Sequence, residues 1–79
     1  MTNIERLNNI FTEVFNCEES ALGAGFDKNS VEGWDSVRQL SLTSAVEDEF
    51  DIMLDPEDII AFTSYEAAKQ ILTKNEIEL

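Results

Sequence analysis

Apolar residues recur at intervals of three and four over the first sixteen positions, and this pattern predicts an amphipathic helix over residues 3–16. Thr2 and Glu5 have capping-box spacing, in which each side chain accepts a hydrogen bond from a backbone N–H at the helix start. We expect one face of this helix to pack into a core. Its predicted core positions are Ile4, Leu7, Ile10, Phe11, Val14 and Phe15.

The pattern stops between Cys17 and Trp34, a stretch that holds all three glycines and has neither a helical nor a strand period. A connection this long in a small domain either carries function or packs down through its own apolar residues. We therefore predict a long loop with a short turn of helix that crosses the other helices. Its predicted anchors are Leu22, Phe26, Val31 and Trp34.

A second helix is predicted to begin at Asp35 or Ser36 and to end near Asp51. Either residue can cap it, and Ser36 has capping-box spacing to Gln39. The polar positions of this helix are expected to face solvent. Its predicted apolar side consists of Val37, Leu40, Leu42, Ala45, Val46 and Phe50.

Two further helices are predicted after an extended link. Asp55 and Pro56 are typical of a helix start, and the acids after them suit the positive end of the helix dipole, so we expect one or two turns there. A last helix is predicted to begin at residues 63–66, where Thr63 and Glu66 have capping-box spacing, and to fray after residue 74. No segment has the period of a strand.

These elements predict an all-α fold, a small four-helix bundle with three longer helices, a short third helix and a long first loop, in one domain over residues 1–79. Apolar residues make up 43% of the chain, which is too many for a disordered tail. A chain of 79 residues nevertheless builds a modest core. Any ligand pocket must therefore share its side chains with that core.

The net charge of −12, from 17 acids and 5 bases, argues against nucleic acid and against an anionic membrane surface as partners. It favours a protein partner with a basic patch, although the charge could also serve only to keep the chain soluble. No apolar run approaches the roughly 20 residues of a membrane span. The single cysteine, Cys17, and the lack of a secretory pattern favour a reducing environment, so we expect a cytoplasmic protein. A monomer is expected, although the sequence leaves the oligomeric state open.

The residue types needed for catalysis are scarce. The chain has no histidine and one cysteine, and it has neither a nucleophile elbow nor a phosphate-binding loop. We therefore expect no enzymatic activity and no dedicated metal site. The acids of residues 47–58 lack the glycine and the alternating ligands of a calcium loop, so they are interpreted as a solvated rim, with a calcium-responsive adaptor as a minor alternative.

Ser36 is the exception, because a hydroxyl at a helix start lies beside unpaired backbone N–H groups and a partial positive charge. A phosphate ester formed on that hydroxyl would be stabilised by this environment. The plain alternative is that Ser36 only caps the helix.

The segment GWDSV at residues 33–37, followed by Leu40 and Leu42, resembles the motif of the acyl carrier proteins and of the related carrier domains of polyketide and peptide synthases. The acidic run VEDEFDI at residues 46–52 resembles the end of that family's second helix. The starts of the last two helices are also similar to the family's. The resemblance covers essentially the whole chain, including its length and its acidity.

The resemblance implies that Ser36 carries 4′-phosphopantetheine, which a phosphopantetheinyl transferase attaches from coenzyme A. The terminal thiol of that arm would hold acyl groups as thioesters. Acyl-transferring and chain-elongating enzymes with basic patches would then act on them, and the bundle would enclose the acyl chain between its helices. The side chains predicted to line an acyl pocket, with ordinary core as the alternative, are Leu42, Val46, Leu54, Ile59 and Phe62, with Ala68 and Ile71 opposite.

Three departures from the family pattern bear on the partner. Val37 replaces the usual leucine, Arg38 places a base directly after the motif, and Ser41 and Ser44 reduce the charge of the helix centre. We infer a specialised carrier of a fatty-acid, lipid or polyketide-type pathway, not the main fatty-acid carrier. The alternative is an acidic helical interaction module without a prosthetic group. The predicted partner contacts are Asp35, Arg38, Glu47, Asp48, Glu57 and Asp58.

Overall fold

A computed structural model describes residues 2–79 of the chain. Within those residues no strand forms, and an isolated antiparallel bridge joins Asp27 to Ser64. The predicted all-α class, the order of the helices and the short third helix are confirmed. The elements are α1 (Asn3–Phe15), a 3-10 turn (Glu19–Ala21), α2 (Ser36–Phe50), α3 (Pro56–Ala61) and α4 (Tyr65–Lys74).

The start of α1 has the predicted capping box. The backbone N–H of Glu5 donates to the hydroxyl of Thr2, and the backbone N–H of Thr2 donates to the carboxylate of Glu5. Both hydrogen bonds are 3.2 Å long. This second bond and one from the Thr2 hydroxyl lower the pKa of Glu5, because they stabilise its charged form. The helix ends at Asn16, which adopts a left-handed conformation with φ of 51°.

The start of α2 is capped by Asp35, whose carboxylate accepts a hydrogen bond of 2.8 Å from the backbone N–H of Arg38. Ser36 is therefore the first residue inside the helix, and the predicted capping box of Ser36 with Gln39 is wrong. The amide of Gln39 instead donates to the carbonyl of Ile59 over 2.8 Å. That bond ties the first turns of α2 to α3.

The start of α4 lies one residue later than the predicted Thr63–Glu66 capping box, which is also wrong. Ser64 is the cap, and its hydroxyl accepts a hydrogen bond of 2.9 Å from the backbone N–H of Ala67. The long loop is the reason, because the backbone N–H of Lys28 donates to the carbonyl of Thr63 over 2.8 Å. This pairing and the extended backbone of Ser64 keep Thr63 outside the helix.

The core is centred on Phe11, whose side chain is completely buried. Five aromatic rings surround it, with centroids 5.3 to 6.3 Å from its own. Two of those rings belong to Phe26 and Trp34 of the long loop, so the loop contributes to the core as predicted. The other three rings are those of Phe15, Phe62 and Tyr65.

The buried face of α2 differs from the predicted one at its N-terminal end. Val37 is 71% exposed and Leu40 is 57% exposed, whereas Thr43 is buried and donates its hydroxyl proton to the carbonyl of Leu40. Val37 precedes the buried Val46 by nine residues, which is half a turn from it on a helix of about 3.6 residues per turn. The first turn of α2 thus presents apolar side chains to solvent.

Candidate functional site

Ser36 lies at the exposed N-terminal end of α2, where its side chain faces solvent. Because Asp35 provides the helix cap, the Ser36 hydroxyl is not needed for that purpose. Within residues 2–79 the hydroxyl makes no hydrogen bond. The oxygen is therefore accessible from solvent, and Ser36 is not the structural cap that the alternative interpretation required.

A groove of about 310 Å³ opens beside Ser36, between the first turns of α2 and the C-terminal half of α3. Its size is at the lower end of the roughly 300–1,000 Å³ of small-molecule sites. Gln39 braces one side, because its amide donates to α3 and its carbonyl oxygen accepts a hydrogen bond of 3.4 Å from the indole of Trp34. The side chains that line the groove are Lys28, Ser36, Gln39, Leu40, Ile59 and Ile60.

The predicted acyl-pocket residues separate into two groups. Ile59 is half-buried and lines the groove beside Ser36. The other six belong to the buried core cluster, against which Ile59 also packs, and they do not line this groove. That group consists of Leu42, Val46, Leu54, Phe62, Ala68 and Ile71.

Leu40, Ile60 and Lys28 line the groove but were not predicted to lie at the site. The periodicity does not indicate that Leu40 and Ile60 are exposed. It shows which residues of a helix are apolar, but not which of them the rest of the protein covers. Lys28 lies in the irregular loop, and only the fold of that loop brings it to Ser36.

Four of the six predicted partner contacts are exposed, namely Asp35, Arg38, Asp48 and Glu57. Glu47 is half-buried, and its carboxylate accepts a hydrogen bond of 2.8 Å from the backbone N–H of Leu54. The carboxylate of Glu47 therefore holds the link that follows α2.

The environment of Asp58 does not agree with a role in partner contact. Its side chain is buried at the start of α3 and forms an ion pair of 2.8 Å with the ammonium of Lys74. The hydrogen bond from Lys74 is the main cause that lowers the pKa of Asp58, against the opposing effect of burial. Acids are common at helix starts, and no local pattern indicates that a lysine 16 residues later covers this one.

Arg38 is exposed but its guanidinium is directed at the end of α1. It donates a hydrogen bond of 2.8 Å to the carbonyl of Val14 and lies 5.9 Å from the centre of the Phe15 ring. A cation at this position satisfies a terminal carbonyl and suits the negative end of the helix dipole. Arg38 thus has a structural role in addition to the predicted contact.

The residues for metal or thiol chemistry are not assembled in the described part of the chain. Among residues 2–79, no three His, Cys, Asp or Glu side chains are grouped so that they could hold a metal ion. Cys17 is half-buried, and burial raises the pKa of its thiol. None of the helices in this range combines the length and hydropathy that crossing a membrane requires.

Comparison of the chain with models of known protein families and with curated proteins gives no match. A functional assignment therefore depends on three features of the molecule itself. These are the Asp35–Ser36 pair at the start of α2, the accessible hydroxyl of Ser36 and the groove beside it.

Proposed function

We propose that this protein carries acyl groups as thioesters on a 4′-phosphopantetheine arm attached to Ser36, and that it passes them between partner enzymes. The exposed hydroxyl of Ser36, at the start of a 15-residue helix that Asp35 caps, is the observation that carries the proposal. Attachment of an arm requires an accessible hydroxyl, and the exposure of Ser36 meets this requirement within the motif of residues 33–37.

In this function Ser36 accepts a group and does not act as a catalyst. A serine hydroxyl is a weak nucleophile without an adjacent base, and the chain contains no histidine. The phosphopantetheinyl transferase would therefore have to remove the proton as the serine oxygen bonds to phosphorus and the nucleotide part of coenzyme A departs. This division of labour agrees with a protein that has no enzymatic activity of its own.

The surface around Ser36 is suited to short encounters with several enzymes. Asp35 and Glu57 are exposed acids near the two helix starts, and Val37 and Leu40 are exposed apolar side chains. Charge complementarity raises the rate of encounter with a basic partner without requiring tight binding. Acyl-transferring and chain-elongating enzymes with basic patches are the partners that we propose, in the cytoplasm.

A specialised carrier of a fatty-acid, lipid or polyketide-type pathway remains our proposal for the biological role. Arg38 and the uncharged Ser41 and Ser44 give α2 a different charge pattern from that expected of a main fatty-acid carrier. Because Arg38 also binds the end of α1, Arg38→Glu would alter stability and recognition together. Arg38→Gln, with its stability measured in parallel, is the cleaner test of partner selection by this charge.

Intact mass spectrometry tests the carrier function directly. Incubation with coenzyme A and a broad-specificity transferase should add one phosphopantetheine to the wild-type protein and none to Ser36→Ala. Ser41→Ala is the matched control, because Ser41 is an exposed serine of the same helix and its loss should leave the reaction intact. If the wild-type protein neither carries the adduct when purified nor accepts it, the interaction module without a prosthetic group replaces this proposal.

A further inference from the structure

Lys28 differs from the other basic residues of the described chain in having no partner for its side chain. Within residues 2–79 its ammonium forms no ion pair and no hydrogen bond. In a chain with 17 acids and 5 bases, a base left unpaired is unexpected. The other four are engaged, as Arg6 with Glu49, Lys69 with Glu66, Lys74 with Asp58, and Arg38 with the carbonyl of Val14.

Lys28 is one of the residues that line the groove beside Ser36. No acid is among the side chains that line the groove, although the chain as a whole carries a net charge of −12. The acids next to lining residues in sequence have other partners: Asp27 and Asp35 accept hydrogen bonds from backbone N–H groups, and Asp58 pairs with Lys74. The groove therefore combines one cation with the apolar surfaces of Leu40, Ile59 and Ile60.

The loop backbone holds Lys28 in position at the groove. Its own N–H donates to the carbonyl of Thr63, and the carboxylate of Asp27 accepts hydrogen bonds from the next two backbone N–H groups over 3.0 and 2.8 Å. The carbonyl of Phe26 accepts a further bond from Tyr65 at the start of α4. The backbone of Lys28 is therefore fixed, and its flexible side chain can place the ammonium at the groove while the loop stays ordered.

We propose that Lys28 and this groove bind the prosthetic arm itself, with the Lys28 ammonium paired to the phosphodiester on Ser36 and the pantetheine lying over Leu40 and Ile60. This inference rests on the carrier function and assigns to Lys28 a positioning role. The phosphodiester adds a negative charge to an already acidic protein, and Lys28 is the cation available to offset it. The arm then rests between α2 and α3 when no partner is bound.

The strength of this contact should suit a carrier. A lysine–phosphate pair at the surface is charge-assisted but is weakened by solvent and by salt. A partner enzyme with a basic patch can therefore displace Lys28 and take the phosphodiester. The rest position would keep the thiol end close to the protein between encounters without preventing its release.

The test compares arm mobility in the phosphopantetheine-loaded protein and in loaded variants, with an isotope-labelled arm followed by NMR relaxation. The wild-type protein should show a slowed arm and magnetisation transfer from the arm to the methyl groups of Leu40 and Ile60. We expect Lys28→Gln and high salt each to abolish both signals, and Lys28→Arg to retain them. Arg38→Gln is the matched control, because it removes an equal charge from α2 without altering the groove lining.

The outcomes separate the two proposals. One outcome is that all the proteins are loaded but the arm is equally mobile in the wild type and in Lys28→Gln. That result would overturn the role of Lys28 and leave the carrier function intact. Equal loss of the signals in Arg38→Gln would also overturn the role of Lys28, because the net charge of the protein would then be the cause. If the wild-type protein cannot be loaded, the carrier function and this inference both fail. Lys28→Gln should fold normally, since it breaks no side-chain contact.

Discussion

The ammonium of Lys74, in the last turn of α4, lies 2.8 Å from the carboxylate of Asp58 in the first turn of α3. The Asp58 side chain is 6% exposed and that of Lys74 is 59% exposed, so an exposed cation covers a buried anion. With six residues, α3 is too short to be stable in isolation. This pair and the hydrogen bond from Gln39 to Ile59 are two contacts that hold α3 on the bundle.

Lys74→Gln should lower the melting temperature at neutral pH, because it leaves the carboxylate of Asp58 buried without a cation. In the folded protein the pKa of Asp58 is lowered, chiefly by the hydrogen bond that it accepts from Lys74. An aspartate in the unfolded chain has a pKa of about 3.9. The stabilisation is therefore fully present above about pH 4 and is lost as the pH falls through the folded pKa. Thermal melts followed by circular dichroism should show the two proteins converging in acid.

Lys69→Gln is the control for that experiment, since Lys69 lies on the same helix and pairs with Glu66 while both side chains are substantially exposed. Exposed pairs contribute little to stability, so the melting temperature should change only slightly. A difference between Lys74→Gln and the wild type that stays constant into acid would contradict the role assigned to Asp58.

Asp35→Ala should lower the free energy of unfolding and Ser36→Ala should not, although the residues are adjacent. Asp35 accepts the backbone hydrogen bond that caps α2, and loss of a cap costs about 0.5–2 kcal/mol in the free energy of unfolding. Ser36 makes no such bond, so Ser36→Ala should stay within about 0.5 kcal/mol of the wild type. Urea denaturation measures both values. Comparable destabilisation by the two changes would mean that Ser36 helps to cap the helix.

Ser64→Ala and Thr63→Ala distinguish the observed cap of α4 from the one expected from the spacing. Ser64 accepts from the backbone N–H of Ala67, so its loss should cost about 0.5–2 kcal/mol in the free energy of unfolding. The Thr63 hydroxyl only donates to the carbonyl of Ala61 over 3.3 Å, and its loss should cost less. Urea denaturation again provides the measurement, and a larger effect at Thr63 would restore the expected capping box.

The caps show how far local sequence predicts this fold. Spacing alone marks three capping boxes, and the one at Thr2 forms because α1 begins there without competing contacts. At Thr63 the backbone pairing with Lys28 prevails, and at Ser36 the neighbouring Asp35 takes the position. Helix locations were predictable because apolar periodicity is a local property, whereas the residue that caps a helix also depends on competition with its neighbour, as at Asp35, or with a distant segment, as at Thr63.

The candidate site also has a part that local sequence predicts and a part that depends on distant segments. Ser36 could be identified from the residues around it, and its exposure follows from its place at a helix start. Lys28 and Ile60 meet Ser36 only after the irregular loop and α3 have folded against α2, and no periodic pattern encodes that approach. Asp58 resembled a solvated acid of a first turn until α4 placed Lys74 over it.

Phe11→Ala should be the most damaging single substitution in the core. Phe11 is fully buried, and the change would leave a cavity among five aromatic rings, at a cost of about 3–5 kcal/mol. Small domains have only about 5–15 kcal/mol of stability, so much of it would be lost. Urea denaturation of Met53→Ala provides the control, because Met53 is 85% exposed. A small effect at Phe11 would indicate that the rings can collapse into the space.

Val37 and Leu40 are expected to act in recognition and not in stability. Val37 directly follows Ser36, Leu40 directly follows Gln39, and both side chains are exposed on the first turns of α2. Substitutions of exposed residues usually change stability by less than about 0.5 kcal/mol. If these side chains contact the transferase, Val37→Thr with Leu40→Gln should lower the kcat/KM of loading roughly tenfold, which corresponds to about 1.4 kcal/mol.

Met53→Gln separates recognition near Ser36 from general surface hydrophobicity. A helix of 15 residues is about 22 Å long, so Met53, which follows α2, lies near the end opposite to Ser36. It is more exposed than either Val37 or Leu40, yet its substitution should leave loading unchanged. Initial rates of loading, measured by intact mass, decide the question. Equal effects at both ends of α2, or none at either, would show that the apolar side chains beside Ser36 do not guide the transferase.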